Sequence, residues 1–206
     1  MGLLRQRLTS RFGDEVQEIS ALWQENTIRA LLGFIQPRRI LEVGTHRGGS
    51  SALFAQCGSR VLTLDKEHHA VAEEVWSFLG LRDKIERRIV SSEAEKHAII
   101  DAAEFDMAFL DAAKGPDGEA DFFKLSRCQC VLVRDYTPLG PLAEGCRQAR
   151  RPQWVAFIDS LEPRAYVFGF RCSMLALWLG PDSPHRANSE LLTWLTREDR
   201  IVEEPW

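Results

Sequence analysis

Five short strand-like runs, alternating with stretches that read as helices, set the tightest limit on what this chain can fold into. They are Arg39–Val43, Arg60–Asp65, 84–90, 105–111 and 130–135. Helices are expected at 22–35, at about 68–79 (closed by Gly80), at 92–103 and near 120–125. The first of these has apolar residues at Leu22, Ile28, Leu31, Leu32 and Ile35, a helical spacing that stops before Pro37. Strands alternating with helices at this pitch predict βαβ units, and hence an α/β fold whose parallel sheet is covered by helices on both faces.

Beyond residue 135 the rhythm changes. Residues 154–159 and 174–179 read as two further strands, and the connection between them is too short for a helical crossover, which predicts an antiparallel pair. The tail holds a helix capped by Asn188, with Leu191, Leu192 and Leu195 on one face. With 206 residues, 45% of them hydrophobic, the chain can bury one substantial core. The expectation is a single domain over 1–206, with an N-terminal helical segment (1–37), a core (38–180) and a C-terminal extension (181–206).

A net charge of −4 supplies no general electrostatic reason to bind nucleic acid or an anionic membrane. No apolar run approaches the roughly 20 residues that span a bilayer. The basic, amphipathic first twelve residues lack a signal core, so a cytoplasmic protein is expected. The five cysteines (Cys57, Cys128, Cys130, Cys146, Cys172) are odd in number, and Cys128-x-Cys130 lacks zinc-site spacing. They are read as buried free thiols.

The fold class also says where function should lie. In open α/β sheets ligands bind outside the carboxyl ends of the strands. Four acids stand at those ends: Glu42, Asp65, Asp111 and Asp135. Each alone could cap the next helix. Together they would repel across one crevice unless a cation or a ligand's donors meet them. After the first strand the chain turns through Glu42-x-Gly44-x-x-x-Gly48-x-Ser50, with Gly49 beside it. This loop is one residue longer than the G-x-G-x-x-G turn that suits a pyrophosphate, which argues against a nicotinamide-dependent oxidoreductase. A carboxylate followed by a longer glycine loop suits a nucleoside with an amino-acid tail, and the following helix offers free N–H groups. An ordinary strand–turn–helix corner would show the same glycines. His46, inside the loop, is read as solvent-facing.

Taken together, these residues resemble the class I S-adenosylmethionine-dependent methyltransferases, and more narrowly the small metal-dependent O-methyltransferases of the catechol and caffeoyl-CoA type. Glu42 to Ser50 is similar to that family's first motif, Leu62-Thr63-Leu64-Asp65 to its ribose-binding strand, Gly80 to Ile85 to its approach to strand three, and Val90-Ser91-Ser92-Glu93 to its adenine turn. Phe105 to Lys114 is the most specific match, since that motif carries both an acid and a lysine. The resemblance implies a single Rossmann-like doubly wound sheet, mostly parallel with an antiparallel last strand. It further implies a small hydroxylated acceptor and a cofactor site made by Glu42, Gly44, Thr45, Gly48, Ser50, Asp65, Lys66, Ser92, Glu93 and Asp111. Asp65 would accept from the ribose hydroxyls, Glu42 would attract the α-ammonium, and Ser92 and Glu93 would meet the adenine edge. Asp111 and Asp135 would hold a divalent metal, Mg²⁺ first, and Lys114 would be the general base.

Two residues depart from that pattern. Tyr136 follows Asp135 where the family has Asn, and a neutral phenol is a poor ligand for a hard cation. Arg134, if turned inward, would replace the metal as the carboxylate's partner and leave a metal-independent enzyme. Mg²⁺-assisted and metal-free arrangements therefore both stay open in the sequence. A cofactor-binding module without transferase activity is the alternative reading, and a homodimer is allowed. Trp154, Tyr166, Phe168 and Phe170 could form an aromatic wall, with core packing the plainer account of most of them.

Overall fold

Glu25 shows how local sequence becomes tertiary structure at the start of the chain. It opens helix α2 (Glu25–Ile35), yet it is buried, and its carboxylate accepts from the backbone N–H groups of Leu4 at 3.1 Å and Arg5 at 3.2 Å. Those are first-turn donors of α1 (Leu3–Phe12), where a helix supplies no carbonyl of its own, so a side chain of the second helix caps the first. Arg29, one turn on, pairs with the same carboxylate at 2.9 Å. Ile28, Leu31, Leu32 and Ile35 line the buried face of α2, as their spacing predicts. Gln36, left-handed at φ 50°, ends it before Pro37. Leu22 lies outside the described residues: the computed structural model describes 3–13, 24–136, 152–170 and 173–196.

The chain divides into two compact units, Met1–Phe105 and Asp106–Trp206. In the first, α1 and α2 are followed by β1 (Arg39–Val43), α3 (Gly49–Gln56), β2 (Arg60–Asp65), α4 (Ala70–Phe78), β3 (Ile85–Ile89) and α5 (Glu93–Ala102). Parallel pairing sets Ile40 beside Val61 and Val43 beside Leu64, then Val61 beside Ile85 and Asp65 beside Ile89. The strand order within this unit is β3-β2-β1. Ile40, Leu41, Glu42 and Val43 of β1 are all buried, three of them apolar, as in a strand covered on both faces. Each such Ile or Leu contributes about 1.5–3 kcal/mol by leaving water.

The second unit holds β4 (Met107–Leu110), α6 (Pro116–Leu125), β5 (Cys130–Tyr136), α7 (Pro152–Asp159), β6 (Tyr166–Phe170), β7 (Ser173–Leu179) and α8 (Ser189–Thr196). β4 and β5 are parallel, whereas β5–β7 and β7–β6 are antiparallel. The parallel strands with an antiparallel end are those of a Rossmann-like α/β fold.

One expected strand is a helix. Residues 154–159 belong to α7, because Trp154, Val155 and Ile158 fall on one helical face and are buried, while Pro152 supplies a preset first-turn φ. A short apolar run does not reveal its period, and here tertiary burial chose the helical one. The antiparallel partner of β7 is instead Tyr166–Phe170, whose aromatic and branched residues suit a strand. Trp154 and Phe168 are core residues, and Phe168 meets Trp194 edge-on at 5.6 Å. Asn188 does cap α8, its Oδ1 accepting from the Leu191 N–H at 3.0 Å. Of the thiols, Cys130 is buried, Cys128 partly so, and Cys57 is exposed at the end of α3, contrary to its reading as a core residue. Cys146 and Cys172 lie outside the described residues.

Candidate functional site

In the first unit the glycine loop is held by the acids on either side of it. Glu42, the fourth residue of β1, is fully buried, and its two carboxylate oxygens accept from the hydroxyls of Ser50 and Ser51 in the first turn of α3. Glu42 and Ser50 therefore lock the strand to the helix and face each other. Thr45 is likewise buried, with its hydroxyl 2.6 Å from that of Thr63 on β2. Gly44 (φ 106°), His46 (φ 44°) and Gly48 (φ 73°) all adopt left-handed conformations. Gly48 admits no side chain at all: a Cβ there would stand 2.6 Å from Trp76 Nε1, which donates to the Gly48 carbonyl at 2.9 Å.

Asp65, at the end of β2, is half-buried and accepts from the backbone N–H of His46 at 2.7 Å and of Glu67 at 3.1 Å. One carboxylate thus ties the glycine loop to the neighbouring strand end. Each of its oxygens has a second lone pair. His46 is exposed, as expected, and its ring meets His69 edge-on at 5.0 Å. At the next strand end, Ser92 Oγ accepts from the Glu95 N–H at 3.2 Å, and Glu95 accepts from the Ser91 N–H at 2.7 Å; Ser-x-x-Glu here works as a helix cap. Glu93 lies between Lys66 at 2.6 Å and Lys96 at 2.5 Å. Hydrogen bonds from these two ammonium groups hold its carboxyl down at about 2. The expected adenine contacts Ser92 and Glu93, and Lys66 with them, are thus engaged in a cap and an ion-pair chain.

In the second unit the acidic corner carries its own cations. Arg134, buried in β5, donates from Nη1 to Asp111 Oδ2 at 2.7 Å, and its Nε stands 3.9 Å from Asp135 Oδ1. Lys114 Nζ stands 3.7 Å from Asp111 and 4.0 Å from Asp135, with its side chain almost wholly buried. It also lies over the Trp154 ring, 5.8 Å from the centroid. Burial alone would lower the Arg134 pKa, but the two carboxylates outweigh it and raise it, so the guanidinium is permanently charged. Asp135 has φ 61°, and the pairing of β5 with β7 shifts register between Arg134 and Tyr136, a bulge at the strand end. Tyr136 turns to the Asp159 carboxylate at 2.9 Å, and burial with that hydrogen bond pushes its phenol up to about 12.

These distances decide how the corner suits the divalent metal expected from the sequence. Asp111 and Asp135 do lie in one cluster, but Arg134 already holds Asp111 and Lys114 approaches both. A hard dication wants six or more oxygen ligands, and the Tyr136 oxygen is committed elsewhere. The side chains in this arrangement do not fit Mg²⁺. Ser51 and Trp76 belong to the glycine-loop cluster and sequence reasoning passed them over, while Trp154, expected only in an aromatic wall or the core, meets Lys114. Only Arg134 had carried a signal, a basic residue beside a strand-end acid.

Comparison with solved structures supports the architecture. TomG, an O-methyltransferase from Streptomyces achromogenes involved in tomaymycin synthesis and solved with SAM, superposes with a TM-score of 0.60 at 22% identity, over 76% of this chain and 79% of its own. An O-methyltransferase from Bacillus cereus in complex with SAH gives a TM-score of 0.60 at 18% identity, covering 85% of this chain and 96% of its own. The chain has the O-methyltransferase fold. The SAH-bound methyltransferase PaMTH1 of Podospora anserina shares that fold at 21% identity, with a TM-score of 0.54 over 85% of this chain and 86% of its own. No protein-family model and no curated protein matches the chain. No described helix is long and apolar enough to cross a membrane.

Proposed function

We propose that the chain is an S-adenosylmethionine-dependent O-methyltransferase acting on a small hydroxylated molecule. The observation that carries this reading is the Asp65 carboxylate bound to the backbone of the glycine loop, in a fold shared with proteins solved with SAM or SAH. The lone pairs left on Asp65 suit the paired hydroxyls of a ribose. Gly44 and Gly48, both at positive φ, carry no Cβ that a methionine tail would meet. Glu42, whose oxygens meet Ser50 and Ser51, acts on the tail at a remove, by keeping the loop and the start of α3 in place.

In this reading Lys114 Nζ first gives up its own proton to solvent and, as a neutral amine, takes the proton of the acceptor hydroxyl. S-adenosylmethionine would supply the methyl group to that oxygen, its C–S bond breaking with the electron pair passing to sulfur. The products are a methyl ether and S-adenosylhomocysteine. The residues contribute chiefly by positioning, because an in-line displacement needs nucleophile, methyl and sulfur collinear. The Trp154 ring beneath Lys114, and the carboxylates beside it, restrict where the amine can stand.

Isothermal titration with S-adenosylhomocysteine tests the reading directly. The wild-type chain is expected to bind it and to ignore NAD, and Asp65→Ala should weaken binding by on the order of 100-fold or more, the loss of two hydrogen bonds to a charged group. Unchanged affinity in Asp65→Ala, or no binding at all by the wild type, would sink it. Formation of S-adenosylhomocysteine from S-adenosylmethionine and a hydroxylated aromatic acceptor separates an enzyme from a binding module.

A further inference from the structure

We propose that Arg134 is a built-in monovalent cation standing in the place a dication would need between Asp111 and Asp135, so that this corner excludes divalent metal. The argument begins with charge. Two carboxylates meet two cations inside one cluster: Arg134 at 2.7 Å from Asp111 and 3.9 Å from Asp135, and Lys114 at 3.7 and 4.0 Å from the same pair. With Lys114 protonated, these four described side chains carry no net charge together, so a dication added among them would bring two positive charges that they do not compensate.

Geometry adds to this. Mg²⁺ binds oxygens at about 2.0–2.1 Å in near-octahedral array and accepts little distortion. To reach Asp111 it would have to displace a guanidinium already hydrogen-bonded there. The Arg134 side chain is 7% exposed, and its Nε is a buried donor with no hydrogen-bond partner. Losing Asp111 as well would leave this buried charge without that hydrogen bond, a costly outcome for a desolvated cation. The residue after Asp135 is Tyr136, whose hydroxyl is committed to Asp159 at 2.9 Å. The bulge at Asp135, between the paired positions of Arg134 and Tyr136, is the backbone feature that sets these three side chains.

The exclusion concerns the side chains alone. Its consequence, methyl transfer that runs in the absence of divalent ions, rests on the function proposed above. A guanidinium donates hydrogen bonds but is no Lewis acid, so it can orient an acceptor oxygen without stripping its proton. That leaves the proton to the side-chain base.

The probe is Mn²⁺ alone, titrated into the full chain and followed by the EPR signal of the free ion. Wild-type protein is expected to leave that signal at its protein-free level, with or without S-adenosylhomocysteine. Arg134→Met keeps bulk and removes charge, and should gain a saturable Mn²⁺ site that Asp111→Asn in the same background abolishes. A wild-type Mn²⁺ site lost in Asp111→Asn overturns the proposal, and that arm needs no variant of Arg134 to fold. A folded Arg134→Met that gains no site also overturns it. Failure of S-adenosylhomocysteine to bind would end the functional reading while leaving the Mn²⁺ result intact, so the two failures are told apart.

Discussion

At the scale of single residues, the first motif is legible as chemistry but its reasons are tertiary. Gly48 looks like one of several turn glycines, yet it is confined twice, by φ 73° and by the Trp76 indole within 2.6 Å of where a Cβ would lie. Gly80 shares the left-handed φ, at 67°, but faces open space. Gly80→Ala should therefore cost only the backbone strain, about 1 kcal/mol, and Gly48→Ala that strain plus an overpacking penalty of about 1–3 kcal/mol. Chemical denaturation of the two variants measures the excess, and equal costs would refute the role given to Trp76. Glu42 teaches a related lesson. Its position predicted a ligand contact, but a carboxylate fully buried at a strand end takes the nearest donors, and here two serines of the next helix supply them.

At the scale of elements, the strands and most helices follow from period and punctuation, and the failures follow from ambiguity of period. α7 shows this: six residues with Trp, Val, Phe and Ile satisfy a strand's composition, and only burial of Trp154, Val155 and Ile158 on one side reveals the helix. α1 depends on another element for its start. Glu25→Ala removes the carboxylate that accepts from the Leu4 and Arg5 N–H groups and pairs with Arg29. The expected loss is about 1–3 kcal/mol for a buried, charge-assisted set of bonds. Hydrogen exchange should show the amides of α1 losing protection while those of β1 and β2 keep theirs. Even loss across all of them would argue against a capping role.

For the molecule as a whole, acid stability is expected to carry the mark of Glu93. Its pKa, about 2 when folded against the ordinary 4.5, is depressed by hydrogen bonds from Lys66 and Lys96. The folded state thus binds fewer protons than the unfolded one between those values, so stability rises with pH there. The contribution is complete above about 4.5 and is lost as pH falls toward about 2. Glu93→Gln should lower the unfolding temperature near neutral pH, and the gap to wild type should close through that acid window. Salt should shrink the share due to exposed Lys66 more than that due to buried Lys96. A gap independent of pH would mean that the ion pairs contribute nothing.

By itself, the order of residues determined the alternation of strands and helices, the acids at the strand ends and the glycine corner, because these rest on local period and on the backbone freedom of glycine. Which partner each acid takes was a tertiary decision. Glu42 met serines, Asp65 met the loop's own backbone, Asp111 met Arg134, and Tyr136 turned to Asp159. A buried carboxylate goes to whichever donors the fold brings within about 3 Å, and that proximity is set by register, bulges and packing between residues far apart in the chain.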